Sequence, residues 1–264
     1  SLSGSYTINP SGTGTSNYTS FSAAAAALSN CGIVGPVTFT VAAGTYNESV
    51  ILNPIPGASA TNTITFDGVD SATRKVIFNT TNSTFPAIFN FNGADYVTIR
   101  NLGIWAQGST VGVGVMMMNQ SDYNRVKNCN IRVSENSTSS NCYGIGICAS
   151  SYSTGGNTGN YDVFENNVVI GGYVGGSMMG TSSSTFCQGN VFRGNRFTNM
   201  YYMGMYLYYQ NNDSITDNFV RFRSGTTINL SVAIGAASVQ WQSKVSGSFT
   251  NVGANGNGAS YNTG

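Results

Sequence analysis

The sequence lacks histidine and is poor in charge. Only 8% of its 264 residues are charged, against about 25% in an average globular domain. Without histidine, the chain lacks the side chain that most often serves as a general base or as a metal ligand. A formal net charge of +1 leaves no electrostatic footprint for nucleic acid, an anionic membrane or an acidic polymer. We therefore expect a folded chain with an uncharged polar surface, no nucleic-acid partner, and no metal or cofactor.

Long apolar runs are also absent, because no segment approaches the ~20 residues of a membrane span. We expect no membrane insertion.

Five cysteines show no zinc-type spacing. At most two disulfides can form, Cys142 with Cys187 or Cys148 being options, and the alternative is that the cysteines are small buried residues.

The sequence is instead rich in short repeated strands. Five segments begin with an apolar residue and carry a small polar residue two positions later, at spacings of 23 to 38 residues. The leading residues are Ile99, Val126, Phe164, Phe192 and Ile215. Coils of this length with two or three strands each are typical of a parallel β-helix solenoid. Asn101, Asn128 and Asn166 then align at turns and predict a structural ladder of stacked amides.

The two ends of the chain depart from this repeat. Residues 18–29 predict a short N-terminal capping helix, with Ser20 or Thr19 as N-cap and Gly32 at its end. Residues 1–225 are predicted to form the solenoid. Residues 226–264, which include Trp241, are predicted to form a C-terminal β extension, packed on the solenoid or belonging to a partial immunoglobulin-like domain.

A second set of strands, at 111–119, 142–150, 174–182 and 203–210, is rich in glycine, methionine and tyrosine. With Val113, Val115, Ile145, Ile147, Met205 and Leu207 assigned inward, the opposite phase predicts an outward face. That face consists of Gly112, Gly114, Met116, Met118, Gly144, Gly146, Cys148, Gly204, Tyr206 and Tyr208. A contiguous apolar strip on a surface usually marks an interaction site. The alternatives are a cover supplied by the chain's own loop or tail, and glycan binding.

Catalytic chemistry has few candidate residues. Asp67 and Asp70 form the best carboxylate pair, although "DGVD" is also an ordinary turn. Arg100, Lys127, Glu165, Arg193 and Thr216 follow the leading strand residues and predict an outward column of mixed charge, with Lys127, Glu165 and Arg193 in a salt-bridge ladder. The column lacks an accompanying aspartate cluster. We expect no catalytic or metal-binding residues, with Asp67 and Asp70 as the weak alternative.

Residues 4–68, "GSYTINPSGTGTSNYTSFSAAAAALSNCGIVGPVTFTVAAGTYNESVILNPIPGASATNTITFDG", resemble the opening of right-handed β-helix modules of the pectate-lyase-like superfamily. The stretch around "GPVTF" and "AGTY" is most similar to modules of large secreted surface proteins of Bacteroidota-type bacteria. The tail resembles the start of the immunoglobulin-like repeats in such proteins. The resemblance implies a longer parent chain, export to the cell surface or exterior, and O-glycosylation at Ser71 and Ser214.

Together these observations predict an all-β, right-handed parallel β-helix solenoid with a short N-terminal capping helix. The predicted function is that of a non-catalytic extracellular structural or adhesive module of a surface adhesin or filament. Its partners would be other copies or neighbouring domains of the same protein, or surface glycans. The alternatives are a polysaccharide lyase or hydrolase of the same fold, and a non-catalytic glycan-binding module.

Overall fold

A computed structural model gives the structure of the protein and describes residues 1–79, 82–149, 151–156, 159–182, 184–223, 242–245 and 248–251. Most of the predicted C-terminal extension 226–264, including Trp241, lies outside the described residues. Its described part is two short strands that pair antiparallel. Within the described residues, no helix is long and apolar enough to cross a bilayer.

Short strands dominate the described chain, with a single α-helix near its start. In chain order the elements are β1 (Leu2–Ile8), β2 (Asn17–Tyr18), α1 (Phe21–Cys31), β3 (Ile33–Val41), β4 (Gly44–Tyr46), β5 (Val50–Leu52), β6 (Ile64–Asp67), β7 (Arg74–Phe78), β8 (Ala87–Asn92), β9 (Val97–Arg100), β10 (Gly103–Ala106), β11 (Gly112–Met118), β12 (Arg125–Lys127), β13 (Asn130–Val133), β14 (Cys142–Ile147), β15 (Val163–Glu165), β16 (Val168–Ile170), β17 (Val174–Met179), β18 (Cys187–Gln188), β19 (Val191–Arg193), β20 (Arg196–Met200), β21 (Met203–Tyr208), β22 (Gln210–Asn211), β23 (Ser214–Thr216), β24 (Phe219–Phe222), β25 (Gln242–Val245) and β26 (Ser248–Asn251).

Three parallel sheets run along the solenoid. The first sheet has the order β2-β1-β3-β6-β9-β12-β15-β19-β23, the second β24-β20-β16-β13-β10-β7-β4, and the third β21-β17-β14-β11-β8-β5. The chain visits the sheets in turn, as in β9, β10 and β11, and then starts the next coil. The predicted parallel β-helix is confirmed.

Residues in successive coils stack in register. The leading apolar residues Ile99, Val126, Phe164, Phe192 and Ile215 form one column of the first sheet, as predicted. All but Ile215 are completely buried. Phenylalanines continue this column at the other end, where the rings of Phe39 and Phe66 stack at 5.0 Å. The inner columns of the three sheets thus form one continuous apolar core.

The capping helix begins and ends close to the predicted positions. Ser20 is the N-cap, and its hydroxyl accepts a hydrogen bond from the Ala23 N–H at 3.0 Å. The Glu48 carboxylate also caps this end, since it accepts from the N–H groups of Phe21 and Ser22 at 2.9 Å each. Gly32 ends the helix with a φ of 62°. Phe21 and Leu28 are fully buried, so the helix packs its apolar side onto the solenoid.

The cysteines are structural. The structure contains no disulfide among the five, all of which lie in described residues, and four of them are buried. Burial raises the pKa of the Cys129 and Cys148 thiols to about 12, which makes them poor nucleophiles. Neither predicted pairing of Cys142 forms, and the interpretation as small buried residues fits the structure.

Candidate functional site

The outer surface of the third sheet is buried, against the prediction of an exposed partner-binding face. Met116 and Cys148 have no exposed surface, and Met118 is only 4% exposed. The segment after β14 covers them: the Ser177 hydroxyl donates to the main-chain carbonyl of Tyr152. The Tyr152 ring packs on Tyr206, with ring centroids 5.5 Å apart. The chain's own loop therefore occupies this face, and of the predicted alternatives the intramolecular cover is the one observed.

The glycines of this set point the other way from the prediction. A Cβ added to Gly114 would meet Ile131, one on Gly144 would meet Val169, and one on Gly204 would meet Val220, all from the inner side of the second sheet. These glycines let the second and third sheets approach closely at their corner. The outward assignment of Gly114, Gly144 and Gly204 is therefore wrong.

The other predicted members of the face are also mostly covered, apart from Tyr208, which is exposed. A Cβ on Gly112 would meet the Gly108 carbonyl at 2.7 Å. Gly146 lies beneath the Tyr143 ring, which contacts Cys148 through its hydroxyl at 3.5 Å. Tyr206 is half-buried, and Tyr208 is 37% exposed. Val113, predicted to join the main core, belongs instead to the smaller apolar cluster under the covering loop.

The outer face of the first sheet carries a column of charged side chains. Thr40, Asp67, Arg100, Lys127, Glu165, Arg193 and Thr216 follow one another in register as a single column. We call its charged members, Asp67 to Arg193, the charged column. Arg100 Nη2 lies 2.8 Å from Asp67 Oδ2. Glu165 lies between Lys127, at 3.5 Å, and Arg193, at 2.5 Å. The predicted column and its salt-bridge ladder are confirmed, and Arg125 adds a cation in the neighbouring outward position.

Cations dominate the surface of the charged column. The side chains of Arg100, Lys127 and Arg193 are 45%, 32% and 53% exposed, whereas those of Asp67 and Glu165 are 17% and 19% exposed. Hydrogen bonds from Arg193 hold the pKa of Glu165 below its ordinary value. Partial desolvation raises the pKa of Asp67, but hydrogen bonds from Asn101, the Val69 N–H and Arg100 outweigh it and lower that pKa. Both carboxylates are therefore ionised at neutral pH and hold the cations in place.

Asp67 and Asp70 do not form a catalytic pair. Asp67 Oδ1 accepts from the Val69 N–H at 2.8 Å and from the Asn101 amide at 2.9 Å. Asp70 accepts from the Ala72 N–H at 3.0 Å in its own turn, and that bond lowers its pKa. Each carboxylate is thus engaged in a separate turn, so the weak catalytic alternative has no support in the geometry.

Three tyrosines form an exposed stack just before the strands of the first sheet, at the opposite ends of these strands from the charged column. The ring centroids of Tyr96 and Tyr123 are 5.0 Å apart with an interplanar angle of 1°, and those of Tyr123 and Tyr161 are 5.0 Å apart at 8°. Tyr123 and Tyr161 are 44% and 42% exposed. We call these residues the tyrosine stack. Sequence reasoning missed it, although the pairs Asp-Tyr, Asp-Tyr and Asn-Tyr recur before successive repeat strands.

The tyrosine stack has a strained backbone. Tyr96, Tyr123 and Tyr161 have φ angles of 58°, 60° and 57°, a region that large side chains rarely adopt. Residues held there cost free energy, and such positions cluster at functional sites. Exposed rings held against this cost make the stack a second candidate element of a binding surface.

The predicted asparagine ladder lies at the turn between the first and second sheets. Asn101, Asn128 and Asn166 all have positive φ there, and Asn128 Nδ2 donates to Asn101 Oδ1 at 3.4 Å. A tighter ladder, one residue further along the chain, was missed. Its amides lie at Asn167, Asn195 and Asn218, and each donates to a main-chain carbonyl of the preceding coil at 2.7 to 2.9 Å.

The structure does not test the two predicted O-glycosylation sites, and a depression beside the helix is a poor candidate for a catalytic site. Ser71 is half-buried and Ser214 is exposed at the start of β23, and O-glycosylation of both stays a prediction. A depression of about 300 Å³ beside α1 is lined by small uncharged side chains such as Ser22, Ser29 and Asn53. It contains no titratable group, so the charged column is the stronger candidate site.

These features define the class of the protein as a right-handed parallel β-helix. Neither a protein-family model nor a curated protein sequence matches the chain. Solved structures of similar fold include a pectin methyl esterase of the rice weevil, with 14% identity and a TM-score of 0.47 over 79% of this chain and 64% of that one. An alginate lyase from Paenibacillus sp. has 15% identity and a TM-score of 0.46 over 84% of this chain and 77% of that one.

A pectin methylesterase from Erwinia chrysanthemi has 9% identity and a TM-score of 0.39, over 97% of this chain and 85% of that one. The chain spans less than two thirds of the length of the rice weevil enzyme. A likeness of this degree concerns the fold, and no residue role is carried over from these enzymes.

The comparison corrects the functional prediction. The solved chains of similar fold carry the names of enzymes, namely pectin methylesterases and polysaccharide lyases. These names contradict the prediction of a non-catalytic structural or adhesive module, and of a chain that is not an enzyme, and they agree better with the predicted alternative of a polysaccharide-active enzyme. The physical basis of the contradicted prediction also fails, because the surface assigned to protein contact is covered by the chain itself.

Proposed function

We propose that the protein is a polysaccharide-active enzyme that binds an acidic polysaccharide along the charged column. The observation that carries this proposal is the exposure of Arg100, Lys127 and Arg193 above the less exposed carboxylates of Asp67 and Glu165. A polymer laid on this face meets the cations first.

The spacing of the cations suits a repeating anionic ligand. Neighbouring strands lie about 4.8 Å apart, so the column presents a charge in each coil. Arginine forks bind carboxylates in a bidentate manner, and lysine supplies a compact point charge. The overall charge of +1 is too small to attract an acidic polymer from a distance. Local contacts would therefore provide the recognition.

The reaction that suits these groups is elimination from a uronic acid unit. Arg100, one coil from Lys127, would neutralise the carboxylate of the reacting sugar, which makes the neighbouring C–H bond more acidic, and Arg193, two coils beyond Lys127, would bind the carboxylate of another unit of the polymer. Lys127, as a free amine, would be the base that takes that proton. The C–O bond to the next sugar then breaks, a carbon–carbon double bond forms, and the leaving oxygen receives a proton from the Lys127 ammonium group.

Glycan binding without turnover is the second candidate function. The engagement of both carboxylates favours it: Glu165 accepts from Arg193 Nε at 3.0 Å, and Asp67 accepts from Arg100 Nε at 2.9 Å. Neither carboxylate is held as a proton donor, since their pKa values are lowered. A hydrolase that needs a protonated carboxyl on this face is therefore disfavoured.

The test uses the full chain with polygalacturonate, methyl-esterified pectin and alginate as substrates. Ultraviolet absorbance of unsaturated products reports elimination, released methanol reports ester hydrolysis, and retardation in a polysaccharide-containing gel reports binding. We expect Lys127→Ala to abolish elimination, whereas Arg132→Ala, a half-exposed cation on the second sheet, leaves it unchanged. Retardation without products would favour the second candidate. No products and no retardation with any of these polymers would refute both.

Export to the cell exterior belongs to the same proposal, because large polysaccharides are met outside the cell. The resemblance of residues 4–68 to modules of secreted Bacteroidota-type proteins supports this placement, as part of a longer surface chain. Fractionation of the producing cells, with the protein found inside them, would contradict it.

A further inference from the structure

Besides the ladder of Asn167, Asn195 and Asn218, another ladder runs along the solenoid at the residue before each of four successive strands of the first sheet. It contains both amides and carboxyl groups. Its members are Asn124, Asp162, Asn190 and Asp213, in successive coils. Asp162 Oδ1 accepts from the Asn124 N–H at 2.7 Å, and Asn190 Oδ1 accepts from the Asp162 N–H at 2.9 Å. Asp213 Oδ1 accepts from the Asn190 N–H at 2.7 Å. One side-chain oxygen of each member thus plays the same part.

The second polar atom of each member distinguishes the amides from the acids. Asn124 Nδ2 donates to the carbonyl of Ala94 at 2.9 Å, and Asn190 Nδ2 donates to the carbonyl of Gly159 at 3.3 Å. In the acids, this position is held by Asp162 Oδ2 and Asp213 Oδ2. Both atoms are buried, and neither has a hydrogen-bond partner within the part of the chain that the structure describes.

The coil register identifies what faces these two oxygens. Asn190 reaches the carbonyl three residues before Asp162, its neighbour in the ladder. The equivalent carbonyl for Asp162 is that of Ser121, three residues before Asn124. For Asp213 it is that of Cys187, three residues before Asn190. A Cβ built on Gly159 would lie 2.5 Å from Asp162 Oδ2 and 2.6 Å from the Ser121 oxygen, so both oxygens border the same small space beside Gly159. An ionised carboxylate facing a carbonyl oxygen is repelled, whereas a carboxylic acid can donate a hydrogen bond to it.

We propose that Asp162 and Asp213 stand in this ladder as protonated carboxylic acids, which makes the ladder a pH-sensitive element of the fold. Each Oδ2–H donates to a main-chain carbonyl of the preceding coil, as the asparagine Nδ2–H does. Deprotonation removes that bond and leaves a buried charge.

The surroundings agree with this assignment. Burial raises the pKa of Asp162 well above its ordinary value, and the carboxylates of Asp122 and Asp95, in the two preceding coils, raise it further against the opposing hydrogen bonding from Asn124. Burial raises the pKa of Asp213 to about 7, partly offset by the Asn190 N–H. Among the described residues, no cation contributes to either shift.

The sign of the pH effect follows from these directions. An unfolded aspartate ionises near pH 3.9, whereas the folded ladder retains its protons to higher pH. The ladder's contribution to stability is therefore complete below about pH 4 and lost as the pH rises through the folded pKa. For Asp213 this window ends near pH 7. The neighbouring ladder of Asn167, Asn195 and Asn218 contains amides only and has no such dependence.

The test compares thermal unfolding of the full chain at pH 5 and pH 8. For the wild-type protein we expect the Tm to fall by several degrees at pH 8, about 2 to 4 °C for each kcal/mol lost in a chain of this size. Asp162→Asn with Asp213→Asn should supply the missing donors, abolish most of that fall, and raise the Tm at pH 8. Asp70→Asn, which removes an exposed carboxylate, is the matched control and should keep the wild-type fall.

Infrared spectroscopy provides a direct readout that does not depend on stability. At pH 5 the wild-type protein should show the carbonyl stretch of buried protonated carboxyl groups, and this band should be lost in the double asparagine variant. A double variant that keeps the wild-type fall in Tm, or a wild-type spectrum at pH 5 without the protonated band, would overturn the proposal.

Discussion

Glu165 and Arg193 join two successive coils through a two-point contact. Arg193 Nη2 and Nε donate to the same carboxylate oxygen, Glu165 Oε1, at 2.5 and 3.0 Å. Lys127, one coil earlier, approaches the other oxygen at 3.5 Å. The carboxylate therefore holds one cation in the coil on either side of it, and it leaves the outer sides of both cations accessible.

Removing Arg193 should affect ligand binding more than stability. Arg193→Ala takes away one exposed cation and one partner of Glu165, and exposed ion pairs contribute only about 0.2 to 1 kcal/mol because solvent screens them. We expect retention by acidic polysaccharide to fall about tenfold at low salt, whereas the free energy of unfolding in urea falls by less than about 1 kcal/mol. Arg132→Ala is the control, and an equal loss of retention there would contradict a specific role.

The Arg193 contact should also make stability depend on pH in the acid range. The lowered pKa of Glu165 means that its contribution is present above the ordinary glutamate pKa of about 4.3 and is lost as the pH falls through the lowered value. We expect Arg193→Ala to destabilise the protein at pH 6 and to have a smaller effect at pH 2.5, measured by urea unfolding. A larger effect at the lower pH would rule out this cause.

The tyrosine stack should contribute to glycan binding and not to folding. Tyr123→Asn removes the middle ring and puts in its place a residue that tolerates positive φ, so the Tm should stay within a few degrees or rise. Retention by polysaccharide should weaken. Tyr208→Ser, at an exposed tyrosine of the third sheet, is the matched control and should leave retention unchanged. The reverse order of the two variants would move the binding surface to the third sheet.

The corner glycines should tolerate no side chain. In Gly144→Ala the new methyl group would meet Val169 Cγ1 and lie 2.6 Å from the Gly175 carbonyl oxygen, between two sheets that cannot separate locally. Overpacking of this kind costs about 1 to 3 kcal/mol, which denaturant unfolding would detect. Gly35→Ala is the control, since its methyl group would meet only the Ser3 Cβ at 3.3 Å.

The helix cap depends on a residue that is remote in sequence. Glu48 accepts from the N–H groups of Phe21 and Ser22, which would otherwise remain without partners at the helix start. We expect Glu48→Ala to cost about 1 kcal/mol in urea unfolding, similar to the loss of an N-cap side chain. Ser29→Ala, which removes a side-chain bond within the helix, should cost less.

Much of the solenoid could be predicted from the sequence because its coils repeat. The column from Ile99 to Ile215 and the salt-bridge ladder of Lys127, Glu165 and Arg193 both follow from aligning five segments. The helix limits followed from Ser20 and Gly32, whose chemistry is local. These predictions required only that equivalent positions lie above one another.

The predictions that failed depended on contacts between different strands of a coil. Alternation assigned Gly114 and Gly144 outward, whereas the corner between two sheets turns them toward Ile131 and Val169. The cover over Met116 comes from a loop around Tyr152 that has no periodic pattern. Asp162 resembles any turn aspartate in the sequence, and only the register reveals that it occupies an asparagine position.

The tyrosine stack gives the solenoid a built-in optical signal. Parallel rings at 5.0 Å bring the electronic transitions of Tyr96, Tyr123 and Tyr161 close enough to couple. Their combined near-ultraviolet circular dichroism therefore records the distance between three consecutive coils. Separation of the coils would weaken this signal even where the strand content, read in the far ultraviolet, stays the same.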